Sequence, residues 1–200
     1  MNGLKGKVVL ITGAGKGSGR ALAEALAERG AIIAANDISP VNVEEVVSGI
    51  NARGGRAAAF IEDVAKKVGA QALVKTVEDQ FSRIDILVNH AAVKPSAPLL
   101  DMDEWDWHRA LDVNLTGAFL MIQSVGRVMR EQGRGEILNL VAGSGKGAEE
   151  EAGAYSSSMA GLVELSHQAG LELSRFGIRV HAIDISTNVV KEVLSLLEAK

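Results

Sequence analysis

The sequence predicts an α/β fold, in which helices cover both faces of a doubly wound parallel sheet of about six strands. Short apolar runs rich in β-branched residues, typical of strands buried on both faces, alternate with longer segments whose apolar residues recur at helical spacing. A glycine-rich turn joins the first strand to the first helix. The 200 residues contain no Pro- or Ser-rich linker, so a single domain over 1–200 is predicted.

The first strand, turn and helix lie within residues 7–29, KVVLITGAGKGSGRALAEALAER. The apolar run 8–11 predicts a buried strand, and apolar residues then recur at helical spacing at Ala21, Leu22, Ala25 and Leu26. Four glycines lie between strand and helix: Gly13, Gly15, Gly17 and Gly19. Glycines allow a ligand to approach the backbone, and the N–H groups that begin a helix suit a pyrophosphate. The unit therefore predicts a dinucleotide-binding turn, and a tight surface turn is the alternative.

An acidic residue, Asp37, follows the second apolar run, 31–35. Asp37 lies about 20 residues beyond the glycines, which is the separation expected of a carboxylate that accepts a hydrogen bond from a ribose hydroxyl. This position of an acid, after a strand, turn and helix, strengthens the prediction of a dinucleotide site, because glycine spacing alone is a weak signal.

The later segments continue the alternation of strands and helices. Strands are predicted at 57–61, 84–89, 136–141 and 178–183. Helices are predicted at 41–52, 66–82, 103–132, 153–176 and 188–197. The longest begins at a plausible N-cap, Asp103, and carries a stripe of Trp107, Leu111, Leu115, Phe119 and Ile122. Since ligands bind beyond the carboxyl ends of parallel strands, Asp63 and Asn89 are expected to lie near the site.

Composition excludes several classes of function. The net charge of -4 is spread along the chain without a basic stripe, which argues against nucleic acid or an anionic membrane as a partner. The absence of cysteine excludes disulfides, thiolate metal sites and a cysteine nucleophile. No long apolar segment begins the sequence, so no signal peptide or membrane span is expected and a cytoplasmic location is predicted. The histidines and the acidic run 149–151 lack ligand spacing, so no metal site is predicted.

Several motifs, in chain order, resemble those of the short-chain dehydrogenase/reductase family. The segment TGAGKGSG from Thr12 resembles the family's TGxxxGxG turn, and NHAA from Asn89 resembles its NNAG motif. DVNLTG from Asp112 is similar to the segment that carries the family's catalytic asparagine, and Tyr155 falls in register with its catalytic tyrosine. The resemblance extends over residues 5 to about 183.

The resemblance implies a Rossmann fold and hydride transfer between a nicotinamide and a carbonyl or alcohol substrate. It assigns cofactor binding to Gly13, Gly15, Lys16, Gly17, Ser18, Gly19, Asp37, Asp63, Val64, Asn89 and Ala91. It assigns catalysis to Tyr155, with Asn114 holding a water relay. It also implies a homodimer through helices 103–132 and 153–176. Asp37 would repel the 2′-phosphate of NADP, whereas Lys16 occupies a place where basic residues favour it. The repulsion between a desolvated carboxylate and a phosphate is expected to exceed the attraction that one flexible lysine provides. NAD is therefore predicted, with NADP the less favoured alternative.

The family's catalytic pattern fails at two positions. The serine expected thirteen residues before Tyr155 is Ala142, and the lysine expected four residues after it is Met159. An unperturbed tyrosine, with a pKa near 10, is only about 0.1% ionised at pH 7, and Met159 cannot supply the charge that would lower that pKa. Loss of one oxyanion donor in other enzymes costs on the order of a hundredfold to a thousandfold. Weak or lost activity is therefore predicted.

Other interpretations of the site remain open. Tyr155 is catalytic or an inactive remnant, and in the latter case the protein is a non-catalytic nucleotide-binding or dimer-partner protein. Ser144 and Lys146, from the loop after the fifth strand, are possible replacements for the missing groups. The family's Pro-Gly turn and substrate-covering segment are missing after the sixth strand, where DIST leads into the last helix. The lid and a last strand are therefore predicted to be absent, leaving water poorly excluded.

Overall fold

The computed structural model describes residues 4–142, 149–185 and 188–199, and its strands form one parallel sheet. The strands are β1 Val8–Thr12, β2 Ile32–Asp37, β3 Arg56–Ile61, β4 Ile86–Asn89, β5 Gly135–Val141 and β6 Ile178–Asp184. Their order across the sheet is β3-β2-β1-β4-β5-β6. The order reverses between β1 and β4, which makes the crevice beyond their carboxyl ends the place where a ligand is expected. The doubly wound fold is confirmed.

Helices cover the two faces of the sheet. They are α1 Gly17–Glu28, α2 Pro40–Ala52, α3 Lys67–Phe81, α4 Glu104–Leu111, α5 Gly117–Gln132, α6 Gly153–Leu173 and α7 Val189–Glu198. One core lies under α1, α2 and α7 and includes Leu22, Leu26, Val46, Ile50 and Val193. The other lies under α3, α5 and α6 and includes Leu73, Val77, Met121, Val125 and Ala169. Both faces of β1 and β4 are buried, which explains their continuous apolar sequences.

The helix predicted over 103–132 is not regular. Asp103 caps its start, since its carboxylate accepts from Trp105 N at 2.7 Å. A π-helical turn, Asp112–Thr116, then separates α4 from α5. The predicted apolar stripe is also wrong in part, because Phe119 is 42% exposed whereas Asn114 is buried. The buried positions include Ala110, Asn114, Ala118, Met121, Val125 and Met129, together with Ile122 of the predicted stripe. The polar Asn114 takes a core position because its amide pairs with backbone outside the helix.

The end of the chain differs from the predicted boundaries only in detail. The helix predicted over 153–176 is α6 followed by a 3₁₀ turn, Ser174–Phe176. The last helix, α7, follows β6 in the chain and packs beside α1. None of the described helices is long and apolar enough to cross a bilayer.

Candidate functional site

A groove of about 610 Å³ opens beyond the carboxyl ends of β1, β2 and β4. Its volume falls within the usual range for small-molecule and cofactor sites. The predicted residues that line it are Gly13, Lys16, Asp37, Asp63, Val64, Ala91 and Tyr155. Gly15 lies in the turn before α1, and Gly17, Ser18 and Gly19 form the first turn of α1. Three α4 residues that the sequence did not single out also line the groove: Trp105, His108 and Arg109.

The glycine turn is tightly built and leaves the start of α1 without a side-chain cap. Gly13 has φ +67°, and a Cβ added at Gly19 would lie 2.2 Å from the Gly13 carbonyl oxygen. The N-cap Lys16 makes no capping hydrogen bond, and the first turn of α1 carries no acidic residue. The N–H groups at this helix start, with the positive end of the helix dipole, form a site that suits an anion.

Asp37, the last residue of β2, is fixed at the rim of the groove. Its Oδ2 accepts from Gly15 N at 2.9 Å, and its Oδ1 accepts from Ser39 N at 3.0 Å. Ser39 in turn caps α2, so the carboxylate links the glycine turn to the next helix. A carboxylate accepts up to about four hydrogen bonds, and two leave capacity for a ribose hydroxyl. Lys16 lies exposed along the same groove.

Asp63 and Val64 form the groove wall beyond β3. Asp63 Oδ1 accepts from Ala65 N at 3.1 Å, which shapes the turn, and its Oδ2 lies 3.5 Å from Lys66 Nζ. Val64 is buried. A Cβ added at Gly69 would lie 2.3 Å from the Asp63 carbonyl oxygen, so the start of α3 packs closely against this turn.

His90 joins the glycine turn to β4 through its ring, a contact that the sequence did not predict. Its Nδ1 lies 3.1 Å from the Gly13 carbonyl oxygen, and its Nε2 lies 2.8 Å from Ser18 Oγ. Because a carbonyl only accepts, Nδ1 carries the proton and Nε2 accepts from the Ser18 hydroxyl. Burial lowers the pKa of His90, which favours this neutral ring, although bonds to Gly13 and Thr12 and the charge of Asp37 oppose the shift. Ser18 and His90 are 72 positions apart, so no local signal pairs them.

Asn89 and Asn114 lie beneath the groove, around a small cavity that also contacts Thr12 and Met159. Asn89 Nδ2 donates to Asn139 Oδ1 on β5 at 2.8 Å, so its side chain points along the sheet. Asn114 Oδ1 accepts from Val93 N at 2.8 Å, and its Nδ2 donates to Val93 O at 2.9 Å and to Ser158 Oγ at 2.9 Å. Both amide protons of Asn114 are therefore used in holding the segment after β4 and α6.

Tyr155, near the start of α6, is half-buried in the groove wall. Met159 lies one helical turn further along and is only 4% exposed. It packs with Ala118, Val141 and Leu162. Burial raises the pKa of Tyr155 above its ordinary value of 10.0, and the charges of Glu149 and Asp184 raise it further, while Lys94 lowers it. The balance keeps the hydroxyl protonated at neutral pH.

Two segments meet beside Tyr155: residues 93–97 after β4, and residues 149–152 before α6. Lys94 Nζ lies 2.6 Å from Glu149 Oε1, and Ser96 Oγ donates to Glu151 Oε2 at 3.1 Å. Ala97 N donates to the Glu151 carbonyl at 3.1 Å. Glu149 and Glu151 of the acidic run thus hold these two segments together. Ser144 and Lys146 lie outside the described residues. Among those described, no three His, Asp or Glu side chains are placed to hold a metal.

The fold and this groove define a nucleotide-binding protein of the doubly wound α/β class. The sequence model of the family described as "short chain dehydrogenase" matches residues 7–194, and the chain belongs to this family of oxidoreductases. The chain is 37% identical over 195 residues to an uncharacterized oxidoreductase of Thermotoga maritima, covering 98% of this chain and 77% of that protein. It is 39% identical over 180 residues to the D-threitol dehydrogenase of Mycolicibacterium smegmatis, covering 90% of this chain and 69% of that protein.

Solved structures agree with this assignment. The chain superimposes on an NAD⁺-bound xylitol dehydrogenase with a TM-score of 0.87 and 33% identity, over 98% of this chain and 77% of that one. It superimposes on a metagenomic short-chain oxidoreductase in complex with NADP with a TM-score of 0.92 and 28% identity, over 98% of this chain and 92% of that one. Similar structures therefore include an NAD⁺ complex and an NADP complex.

Proposed function

We propose that this protein binds a nicotinamide dinucleotide, with NAD preferred, and that its hydride-transfer activity is weak or lost. One observation carries the proposal: the groove keeps its glycine turn and its fixed Asp37, whereas the residue one turn after Tyr155 is the buried Met159. A cytoplasmic location and a homodimer through the long helices are parts of the same proposal. So is a small carbonyl or alcohol as the substrate of any activity that remains.

The residues of the groove fit the cofactor. The uncapped start of α1 suits the pyrophosphate, and the turn is too tight at Gly13 and Gly19 to accept side chains. Asp37 would accept from the ribose 2′-hydroxyl and repel a 2′-phosphate, while Asp63 and Val64 wall the adenine end. When bound, the nicotinamide supplies the hydride donor or acceptor.

Tyr155 is the proposed acid/base, with its proton exchanged at the phenolic oxygen. The hydroxyl starts protonated, so it suits donation to a developing alkoxide better than abstraction from an alcohol. Asn114 positions the segment after β4, and its Oδ1 keeps acceptor capacity for a proton relay. The side chain of Ala142 offers no hydrogen bond to the alkoxide, which supports the proposal of slow turnover.

The second candidate is a non-catalytic nucleotide-binding or dimer-partner protein. It is favoured by the joint departure of the serine, the lysine and the substrate-covering segment, while the glycine turn and Asp37 remain. In this case the outer faces of α5 and α6 are the functional surface, and a bound cofactor is structural.

Titration of the purified protein with NADH and NADPH tests the cofactor proposal, with nicotinamide fluorescence and melting temperature as readouts. NADH is expected to bind more tightly. Asp37→Ser is expected to weaken NADH binding about tenfold, because a charge-assisted hydrogen bond is lost. The same substitution should reduce the difference in affinity between NADH and NADPH.

Lys16→Ala is the matched control on the same groove and is expected to weaken NADPH more than NADH. Equal or preferential binding of NADPH by the parent protein would contradict the NAD preference. If neither NADH nor NADPH binds, both the dehydrogenase proposal and the cofactor-binding proposal are overturned.

A further inference from the structure

The ammonium group of Lys94, which lies outside α6, is placed over the ring of Tyr155. Lys94 Nζ lies 5.4 Å from the centroid of the Tyr155 ring. A cation within about 6 Å of a ring face is attracted to it, and the same charge favours a phenolate over a phenol. Lys94 lies five residues after Asn89, the end of β4, whereas the position one turn along α6 holds Met159. Lys94 and Met159 therefore both lie near Tyr155, but they belong to different parts of the chain.

The segment that carries Lys94 is held in place by contacts besides its own ion pair. Ser96 bonds to the Glu151 carboxylate, and Ala97 N donates to the Glu151 carbonyl. Asn114 holds Val93 through both backbone groups. Lys94 is therefore on a segment with fixed neighbours on both sides.

We propose that Lys94 is a positioning residue that supplies Tyr155 with the positive charge that Met159 cannot, and that its ion pair with Glu149 moderates that charge. The inference rests on the proposed function, in which Tyr155 is the acid/base. Among the residues that the structure describes, the charged groups that act on the tyrosine hydroxyl are Lys94, Glu149 and Asp184, and of these three only Lys94 favours ionisation. Lys94 Nζ and Glu149 Oε1 are 2.6 Å apart, so part of the lysine field is cancelled.

Tyr155 is the one tyrosine of the chain, which allows a direct test. Tyrosinate absorbance, followed during an alkaline titration, reports the ionisation of Tyr155 alone, and circular dichroism at each pH shows that the chain is still folded. The parent protein is compared with Lys94→Gln, Lys94→Arg and Glu149→Gln. Ser96→Ala is the matched control, because it breaks a bond between the same two segments without changing any charge.

Lys94→Gln is expected to raise the pKa of Tyr155 by about half a unit or more, a threefold or larger loss of tyrosinate at a given pH. Glu149→Gln is expected to lower it. Lys94→Arg keeps a cation over the ring and should stay within about 0.3 unit of the parent value, as should Ser96→Ala. An unchanged pKa in Lys94→Gln, or an equal rise in Ser96→Ala, would overturn the proposal.

The titration separates this inference from the proposed function, because it needs neither cofactor nor turnover. If the protein binds no dinucleotide and Lys94→Gln still raises the pKa of Tyr155, the electrostatic role stands and the dehydrogenase proposal fails. If NADH binds and the titration curves coincide, the proposed function stands and the role of Lys94 fails.

Discussion

The charge of the His90 ring bears directly on the glycine turn. In the neutral ring, Nδ1–H donates to Gly13 and Nε2 accepts from Ser18. A second proton would place a charge in a buried position, and this is why burial lowers the pKa of His90 below 6.5. Below pH 6.5, His90 is protonated in the unfolded chain, whereas in the folded chain it stays neutral until the pH reaches its lower pKa. The neutral ring therefore contributes its stability above pH 6.5, and that contribution is lost as the pH falls towards the lower folded value.

His90→Asn is expected to flatten this dependence, because asparagine can accept from Ser18 and does not titrate. The measurement is the free energy of unfolding in urea at several pH values from neutrality down to about pH 4.5, spanning the ordinary histidine pKa. His108→Gln is the control, since His108 is exposed on α4. Parallel loss of stability in the parent and His90→Asn proteins would show that other groups govern the acid limb.

At the scale of the elements, the proposed function depends on the face of α6 that carries Tyr155 and Met159. The two residues are four positions apart, so they share one side of the helix. Ala142, just beyond β5, is the other position at which the sequence departs from the catalytic pattern that the family resemblance implies. The proposed weakness of catalysis is therefore located at two neighbouring points, and both can be changed without altering the strands.

The double variant Ala142→Ser/Met159→Lys is expected to raise turnover with NADH at least tenfold over the parent on a panel of ketones and secondary alcohols, a fraction of the ~10²–10⁴-fold typical of acid/base catalysis. A cost in melting temperature is expected as well, because Met159 packs among Ala118, Val141 and Leu162. Ala142→Ser/Met159→Leu is the control that restores the serine without the charge. If both double variants bind NADH and neither turns over, these two groups do not limit activity.

Sequence patterns predicted the elements well where a pattern repeats within one segment. The apolar runs of β1 and β4 and the cap at Asp103 fall where expected. The π-helical turn was not predicted, because it accompanies the pairing of Asn114 with Val93, which is 21 positions away. Helical spacing alone placed Phe119 on the buried face and missed the one-residue shift of the core stripe.

At the scale of the whole molecule, the groove unites residues from distant parts of the chain. Its outline was predictable, since a parallel sheet brings all strand ends to one edge and fixes Asp37 and the glycine turn beside each other. The contacts between individual side chains in the groove were not predictable from the sequence. Lys94 and Glu149 are 55 positions apart, on two irregular segments whose meeting has no periodic signature. The sequence thus predicted the place of the groove and seven of the residues that line it, whereas the electrostatics of the groove required the structure.

The proposed homodimer is the prediction that concerns the outer surface. Phe119 on α5 is 42% exposed and Leu171 on α6 is 75% exposed, although both helices are otherwise packed on the sheet. A stable interface buries roughly 800 Å² on each partner, usually around large apolar side chains, and a carboxylate at its centre is strongly unfavourable. Phe119→Asp is therefore expected to convert a dimer into a folded monomer at micromolar concentration, as measured by light scattering during gel filtration.

Val68→Asp provides the matched control, because Val68 is 77% exposed on α3, a helix outside the proposed interface. It should leave the dimer intact. A second variant, Leu171→Asp, should weaken the dimer through α6, since the two helices are proposed to act as one surface. A monomeric parent protein would contradict the proposal, and so would a dimer that survives both substitutions on α5 and α6. If only Val68→Asp dissociates the dimer, the interface is formed by α3 and not by α5 and α6.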